Sequence, residues 1–138
     1  MRFDVVPTEK VNDIPFGALR EEVRNALGGY EEFRKDISDK NTADDHGFCH
    51  CFYDDDDRFI AIEIFNENTV YIGDISVFPN DTDIIMGMAD DFTELYGTAV
   101  SLSMSVGLDA ECDDDELPES ILFARKGYYD ELISEEDI

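Results

Sequence analysis

The distribution of acidic residues is the feature that most restricts how this chain can fold. The formal net charge is −25 at pH 7, and nearly all of it lies after residue 40. Residues 1–40 carry seven basic and nine acidic side chains, whereas residues 41–138 carry three basic and twenty-six acidic ones. Like charges at this density repel one another and destabilise a compact state. We therefore expect the carboxylates to lie on the surface of the fold.

The hydrophobic content is nevertheless that of a folded domain. Of the 138 residues, 43% are hydrophobic and 12% are aromatic. Disordered acidic segments instead combine high charge with low hydrophobicity and few aromatic residues. The length suits one hydrophobic core, so we expect a single domain spanning residues 1–138.

Two dense acidic runs are the main candidate binding residues. The first is Asp54, Asp55, Asp56 and Asp57, and the second is Asp113, Asp114, Asp115 and Glu116. Such runs complement a basic protein surface. Nucleic acid and anionic membranes are not expected as partners, because both are bound through Lys and Arg, which are scarce here.

A tyrosine pair near the C-terminus is a second candidate contact. Tyr128 and Tyr129 follow the basic pair Arg125-Lys126, and tyrosine commonly anchors protein interfaces. The alternative is that one tyrosine packs in the core while the basic pair relieves local repulsion. Both interpretations remain open at this point.

The periodicity of apolar residues predicts an α+β fold. Leu19, Val23, Ala26 and Leu27 share one helical face before Gly28, which predicts a helix over residues 17–27. A second long helix is predicted over 82–96, burying Ile84 or Ile85, Met88, Phe92 and Leu95. Residues 30–37 have the spacing of a further short helix. We expect these helices to pack on one face of a single antiparallel sheet.

That sheet is predicted to contain about five strands. Residues 48–53 and 58–65 form a hairpin around the first acidic run, since Ile60, Ile62 and Ile64 alternate with period two. Residues 69–78, 99–112 and 120–124 supply the remaining strands. A helix ending in glycine precedes each acidic run, which indicates two helix–strand–strand halves.

No metal or other cofactor is expected. Cys49-His50-Cys51, with Cys112 as a third thiol, has a one-residue spacing instead of the two to four typical of zinc ligands. We interpret these cysteines as buried core residues. The acidic runs also lack the Gly and Glu positions of a calcium-binding loop.

Binding is a better prediction than catalysis. The chain has two histidines and none of the usual hydrolase, phosphate-loop or dinucleotide motifs. Glu63 is the one candidate catalytic carboxylate, because it lies on an otherwise apolar strand. Two alternatives to a protein-binding role remain. One is a ligand-binding or regulatory module with an acidic surface, and the other is an enzyme that uses a carboxylate.

Two resemblances add to this interpretation. Residues 14–28, Ile-Pro-Phe-Gly-Ala-Leu-Arg-Glu-Glu-Val-Arg-Asn-Ala-Leu-Gly, are similar to the helical start of outer-membrane assembly lipoproteins and β-lactamase-inhibitor-like domains. Those folds stack helices on one sheet. The lipoproteins carry a signal and a lipidated cysteine near the start that this chain does not show, so we do not expect that role here. Three cysteines, an odd number, with no signal fit a reducing cytoplasm, so we expect a cytoplasmic protein.

The size, the acidity and the ending Ser120-Ile121-Leu122-Phe123 to Gly127-Tyr128-Tyr129 resemble small acidic bacterial immunity proteins. These belong to contact-dependent growth inhibition and related polymorphic toxin systems. The resemblance implies one-to-one neutralisation of a toxin. Many such toxins are nucleases with basic clefts, which an acidic inhibitor would complement.

Overall fold

The fold is built mainly from strands. A computed structural model describes residues 1–34, 41–95, 97–109 and 118–130. Of these residues, 48% lie in strands and 14% in helices. The prediction of one five-stranded sheet with helices packed on a face is therefore wrong. The strands instead form two sheets, a small one of five strands and a large one of eight.

The elements are numbered in their order along the chain. In order, they are β1 (Arg2–Val6), β2 (Lys10–Val11), β3 (Ile14–Pro15), α1 (Arg20–Leu27), β4 (Glu31–Phe33), β5 (Ala43–Asp45), β6 (Cys49–Tyr53), β7 (Phe59–Phe65), β8 (Thr69–Ile72), β9 (Ile75–Phe78), α2 (Thr82–Met86), β10 (Phe92–Leu95), β11 (Thr98–Ser101), β12 (Val106–Asp109) and β13 (Ser120–Ala124).

The small sheet has the order β3-β2-β1-β8-β9. Strand β1 pairs in parallel with β8. The other three strand pairs of this sheet are antiparallel. Phe3 and Val5 are buried on one face of β1, while Arg2, Asp4 and Val6 are exposed, which is the period-two pattern of a half-buried strand. Helix α1 contacts the edge strand β3, and α2 contacts the opposite edge strand β9.

The large sheet has the order β10-β11-β12-β13-β7-β6-β5-β4, and all its pairs are antiparallel. Its inner face packs on the small sheet, because buried residues of both sheets form one hydrophobic cluster. The largest buried side chains of that cluster are Phe3, Phe59, Phe78, Phe123, Ile62, Ile64, Ile85 and Ile121. The other side of the large sheet is called the outer face below.

The predicted helix over 82–96 is the largest local error. Helix α2 ends at Met86, and Phe92–Leu95 is a strand that forms a hairpin with Thr98–Ser101. Asp91 stabilises the base of this hairpin by accepting hydrogen bonds from the Ser101 and Ser103 hydroxyls. The apolar spacing that resembles a helix therefore belongs to two short elements, and Ile84 and Met88 are exposed.

Other boundaries also differ from the prediction. Glu31–Phe33 is a strand, so the short helix predicted over 30–37 is wrong. The predicted strands 69–78 and 99–112 are each two strands in the described residues, because tight turns follow Ile72 and Ser101. The two predicted halves therefore do not match in architecture. The first helix lies within its predicted range, over Arg20–Leu27.

Helix α1 buries a face that matches the prediction only in part. Val23 is buried and Leu27 packs against the core, as predicted, but Leu19 is 43% exposed and Ala26 is exposed. Arg20 is instead buried, with only 7% of its surface exposed. Among the helices of the described ranges, none has the length and apolar character needed to cross a bilayer.

Candidate functional site

The first acidic run forms the turn between β6 and β7, and this turn lies against the start of α1. The Gly17 amide donates to the Phe59 carbonyl at 2.8 Å, and the Phe59 amide donates to Ala18 at 2.9 Å. The Arg20 amide donates to the carbonyl of Asp57 at 3.0 Å. Backbone hydrogen bonds thus hold the acidic turn in a fixed position beside the helix.

Two of the four aspartates shape the turn itself. Asp54 Oδ1 accepts the backbone amides of Asp56 and Arg58, both at 2.9 Å, as is typical of aspartate in turns. Asp57 has a left-handed backbone, and its Oδ1 accepts from Asn41 at 2.7 Å and from Arg20 at 3.2 Å. The hydrogen bond from Asn41, followed by that from Arg20, lowers the pKa of Asp57.

The other two aspartates lie on the exposed side of the turn. Asp55 and Asp56 are exposed, as are Glu21 and Glu22 in the first turn of the adjacent helix. We call these four side chains the acidic surface. A shallow depression of about 490 Å³ lies beside it. Its lining residues are Arg20, Glu21, Arg24, Asn25, Tyr30 and Asp57.

A buried aspartate between two arginines lies under this surface. Asp44 is fully buried on β5, and Arg24 approaches it with Nε at 2.7 Å and Nη2 at 2.8 Å. Arg20 Nη2 donates to the same carboxylate at 2.8 Å. Glu32 lies opposite Asp44 on β4 and accepts from Arg24 at 3.1 Å. The two guanidiniums thus neutralise a pair of carboxylates that would otherwise repel one another.

The donors of Arg20 are all directed at groups within the chain. Nε and Nη2 reach Asp44, Nη1 reaches Asn41 and Asp57, and the second Nη2 proton reaches Thr42. A guanidinium has five N–H donors, so none of them is left for an external anion. Arg20 therefore ties the helix to the sheet and is not an anion-binding residue.

Both arginines also stack on aromatic rings. Arg20 Cζ lies 4.5 Å from the ring centre of Tyr53, and Arg24 Cζ lies 4.0 Å from that of Tyr30. Cation–π contacts of this kind stabilise a guanidinium. Sequence reasoning missed this network. Its signal was the pair Arg20 and Arg24, one helical turn apart in a chain with few basic residues.

The arginines control the ionisation of Asp44. Burial alone would raise its pKa, but the hydrogen bonds from Arg24 and Arg20 outweigh that effect and lower the pKa from 3.8 to about 2. The stabilisation from this group is therefore complete above the unfolded pKa and is lost as pH falls through about 2. The shift corresponds to roughly 2 kcal/mol of unfolding free energy.

We predict that the Asp44 side chain still titrates near pH 2 in the folded protein, well below an ordinary aspartate. The measurement is the carboxyl carbon shift of Asp44 followed by NMR between pH 5 and pH 1.5. Arg24→Gln, which removes the Nε and Nη2 donors of Arg24, should raise the midpoint. An Asp44 midpoint near 3.8 in the unmodified protein would show that the arginines do not stabilise its charged form.

Two of the three cysteines lie inside the fold, as expected for core residues. Cys49 and Cys51 are fully buried and face Ile64 and Ile62 across the strand pair. A hydrogen bond with Cys49, and then burial, raises the pKa of Cys51. Within the described ranges, no three His, Cys, Asp or Glu side chains are grouped to hold a metal ion. Cys112 lies outside those ranges.

The remaining candidate residues are the second acidic run and the tyrosine pair. Asp113, Asp114, Asp115 and Glu116 lie outside the described residues, so their role stays a prediction. Tyr128 and Tyr129 form an edge-to-face pair with ring centres 5.2 Å apart. Tyr129 packs against Gly107 of β12, where a side chain would clash with its hydroxyl, and burial raises its pKa. Tyr129 therefore has a packing role on the outer face.

Comparison with known proteins adds no assignment. No family model, curated protein or solved structure matches the chain. The resemblance to immunity proteins therefore stays a prediction, and only the chemistry of the chain's own residues bears on its function.

Proposed function

We propose that the protein binds a basic protein one-to-one through its acidic surface, and that this partner is a nuclease toxin, which it neutralises. The observation that carries this proposal is the charge arrangement at the acidic turn. Glu21, Glu22, Asp55 and Asp56 are exposed, while Arg20 and Arg24 of the adjacent helix point to Asp44 and Glu32 beneath them.

The fixed position of the turn supports this role. A preorganised charged surface loses less conformational entropy on binding than a flexible one. The backbone bonds from Gly17 and Arg20 to the hairpin provide that preorganisation here. A surface of one sign also accelerates encounter with a partner of opposite sign. A nuclease cleft is such a partner, because it must attract phosphate.

The test is a variant that neutralises the acidic surface with little change of shape: Glu21→Gln, Glu22→Gln, Asp55→Asn and Asp56→Asn. The probe is the purified product of the gene directly upstream, where the proposal places the toxin. At low salt, we expect association to slow by about one decade, and the deficit to shrink at high salt through screening. Stopped-flow mixing measures the rate.

A charge-matched control comes from the opposite edge of the small sheet. There, exposed aspartates on and beside β9 and α2 are replaced by Asn: Asp74, Asp81, Asp83 and Asp90. Both variants lose four charges, so a general field effect would slow them equally. Equal slowing would place the contact elsewhere. An upstream product that is not basic, or that does not bind the unmodified protein, would refute the proposal.

A further inference from the structure

Two large apolar side chains are exposed at the two ends of helix α1. Leu19, at the residue before the helix, is 43% exposed, and Tyr30, in the segment that leads from the helix to β4, is 49% exposed. Single exposed apolar residues are common on protein surfaces and need no explanation by themselves. These two are different because each is held in a fixed outward position and both border the acidic surface.

Burial of its neighbours directs Leu19 outward. Its backbone is extended, with φ −68° and ψ 146°, so adjacent side chains point to opposite sides. Ala18 and Arg20 are both buried, which leaves the solvent side for Leu19. The apolar periodicity of the helix predicts a buried leucine here, whereas the fold exposes the leucine and buries the adjacent arginine. Departures of this kind from local preference are expected at functional sites.

The backbone of Leu19 joins the two parts of the acidic surface. Leu19 pairs with Arg58 in an antiparallel bridge, and the Arg20 amide donates to the Asp57 carbonyl at 3.0 Å. The Leu19 carbonyl accepts the amide of Glu22 at 2.9 Å. Leu19 therefore lies where the acidic turn meets the first turn of α1, and both of these turns contribute carboxylates to the acidic surface.

Tyr30 is held by Arg24 at the other end of the helix. The guanidinium carbon lies 4.0 Å from the ring centre, and the guanidinium is itself fixed by ion pairs with Asp44 and Glu32. Tyr30 lines the same shallow depression as Glu21 of the acidic surface. Immobilising a side chain on binding costs conformational entropy, and a ring that is already stacked avoids most of that cost.

We propose that Leu19 and Tyr30 are the apolar contacts through which the acidic surface holds its partner. Glu21 and Glu22 lie between them along the chain, so charge complementarity requires a partner surface with apolar side chains bordered by Lys and Arg. Tyrosine is enriched among the residues that dominate binding energy. This inference rests on the proposed function, because it assigns both contacts to that same nuclease toxin.

The two kinds of residue have separate kinetic roles. Exposed carboxylates act at a distance and accelerate encounter, so their removal slows association. Apolar contacts form only at short range, so their removal appears mainly as faster dissociation. The acidic surface thus attracts the partner, whereas Leu19 and Tyr30 determine how long the complex lasts.

The test measures dissociation of two variants, Leu19→Ala and Tyr30→Ala, from the purified product of the gene directly upstream. Each variant, labelled with a fluorophore, is bound to that product and then displaced by an excess of unlabelled protein. We expect each substitution to accelerate dissociation about tenfold and to change the association rate less than about twofold. Far-ultraviolet circular dichroism checks the fold of both variants.

Matched substitutions in other parts of the two sheets are the controls. Leu102→Ala removes a leucine that is 38% exposed in the turn after β11, three strands from β7. Tyr71→Ala removes a half-buried tyrosine of β8, three strands from β3, whose ring centre lies 3.8 Å from the Arg2 guanidinium carbon. This variant also reports the effect of releasing an arginine from its stack. We expect both controls to dissociate within about twofold of the unmodified protein.

The inference is overturned if the Leu19 and Tyr30 variants dissociate no faster than their matched controls. That result would leave the proposed function standing wherever neutralisation of the acidic surface still slows association, because the two experiments measure different rates. An upstream product that does not bind the unmodified protein would instead refute the proposed function and this inference together.

Discussion

Asp44→Asn is expected to lower the free energy of unfolding by about 3–5 kcal/mol, the usual cost of removing one partner from a buried ion pair. Asp44 is fully buried and accepts from both Arg20 and Arg24 at 2.7–2.8 Å. The substitution leaves two guanidiniums facing a neutral amide whose NH₂ group cannot accept. Urea denaturation at pH 7 measures the loss.

The adjacent substitution, Asp45→Asn, is the matched control. It removes the same charge one residue away, but the Asp45 side chain is 40% exposed on the outer face. We expect a change within about 0.5 kcal/mol, as for other surface substitutions. In a chain of net charge −25, removing an exposed carboxylate also relieves repulsion, so stabilisation is the favoured sign. Equal destabilisation by both variants would show that the buried network is not the cause.

The second large effect is expected from Phe59→Ala, at about 3–5 kcal/mol of unfolding free energy. Phe59 is the first residue of β7, directly after the acidic turn, and is fully buried. Its ring centre lies 5.0 Å from that of Phe16 and 6.3 Å from that of Tyr53. Its loss opens a cavity between the hairpin and the segment before α1. Urea denaturation, with the slope compared between variants, measures the change.

Two further substitutions calibrate this prediction. Phe59→Leu fills most of the cavity and should cost about 1 kcal/mol. Phe92→Ala removes a half-buried ring from edge strand β10 and should cost less than half as much as Phe59→Ala. A loss below about 1 kcal/mol for Phe59→Ala would mean that the hairpin does not depend on this ring for its attachment.

Several elements could be predicted because their signals are local. The hairpin around the first acidic run follows from the alternation in β7, where Ile62 and Ile64 are buried. The glycines at 28 and 29 correctly mark the end of α1, because Gly28 adopts a positive φ that other residues avoid. These features depend on a few neighbouring residues, so the sequence contains all the information they need.

The region from 82 to 95 could not be predicted in this way. Apolar residues at helical spacing also suit two short elements, and only pairing with Thr98–Ser101 makes Phe92–Leu95 a strand. The parallel pairing of Arg2–Val6 with Thr69–Ile72 also cannot be inferred from the local sequence of either strand. The β1–β8 pairing joins residues far apart in the chain, and its energy comes from the strand ladder and core contacts formed together.

The acidic charge, the first helix and the acidic hairpin turn follow from the order of residues along the chain. The tertiary fold then sets which groups the charged residues contact. It buried Arg20 on Asp44, used Asp54 and Asp57 within the turn, and left Asp55 and Asp56 exposed. It also placed Asp45, His50 and Glu63 side by side on the outer face of the large sheet. Ion pairing and burial depend on strand register and sheet packing, whereas charge and periodicity depend only on order along the chain.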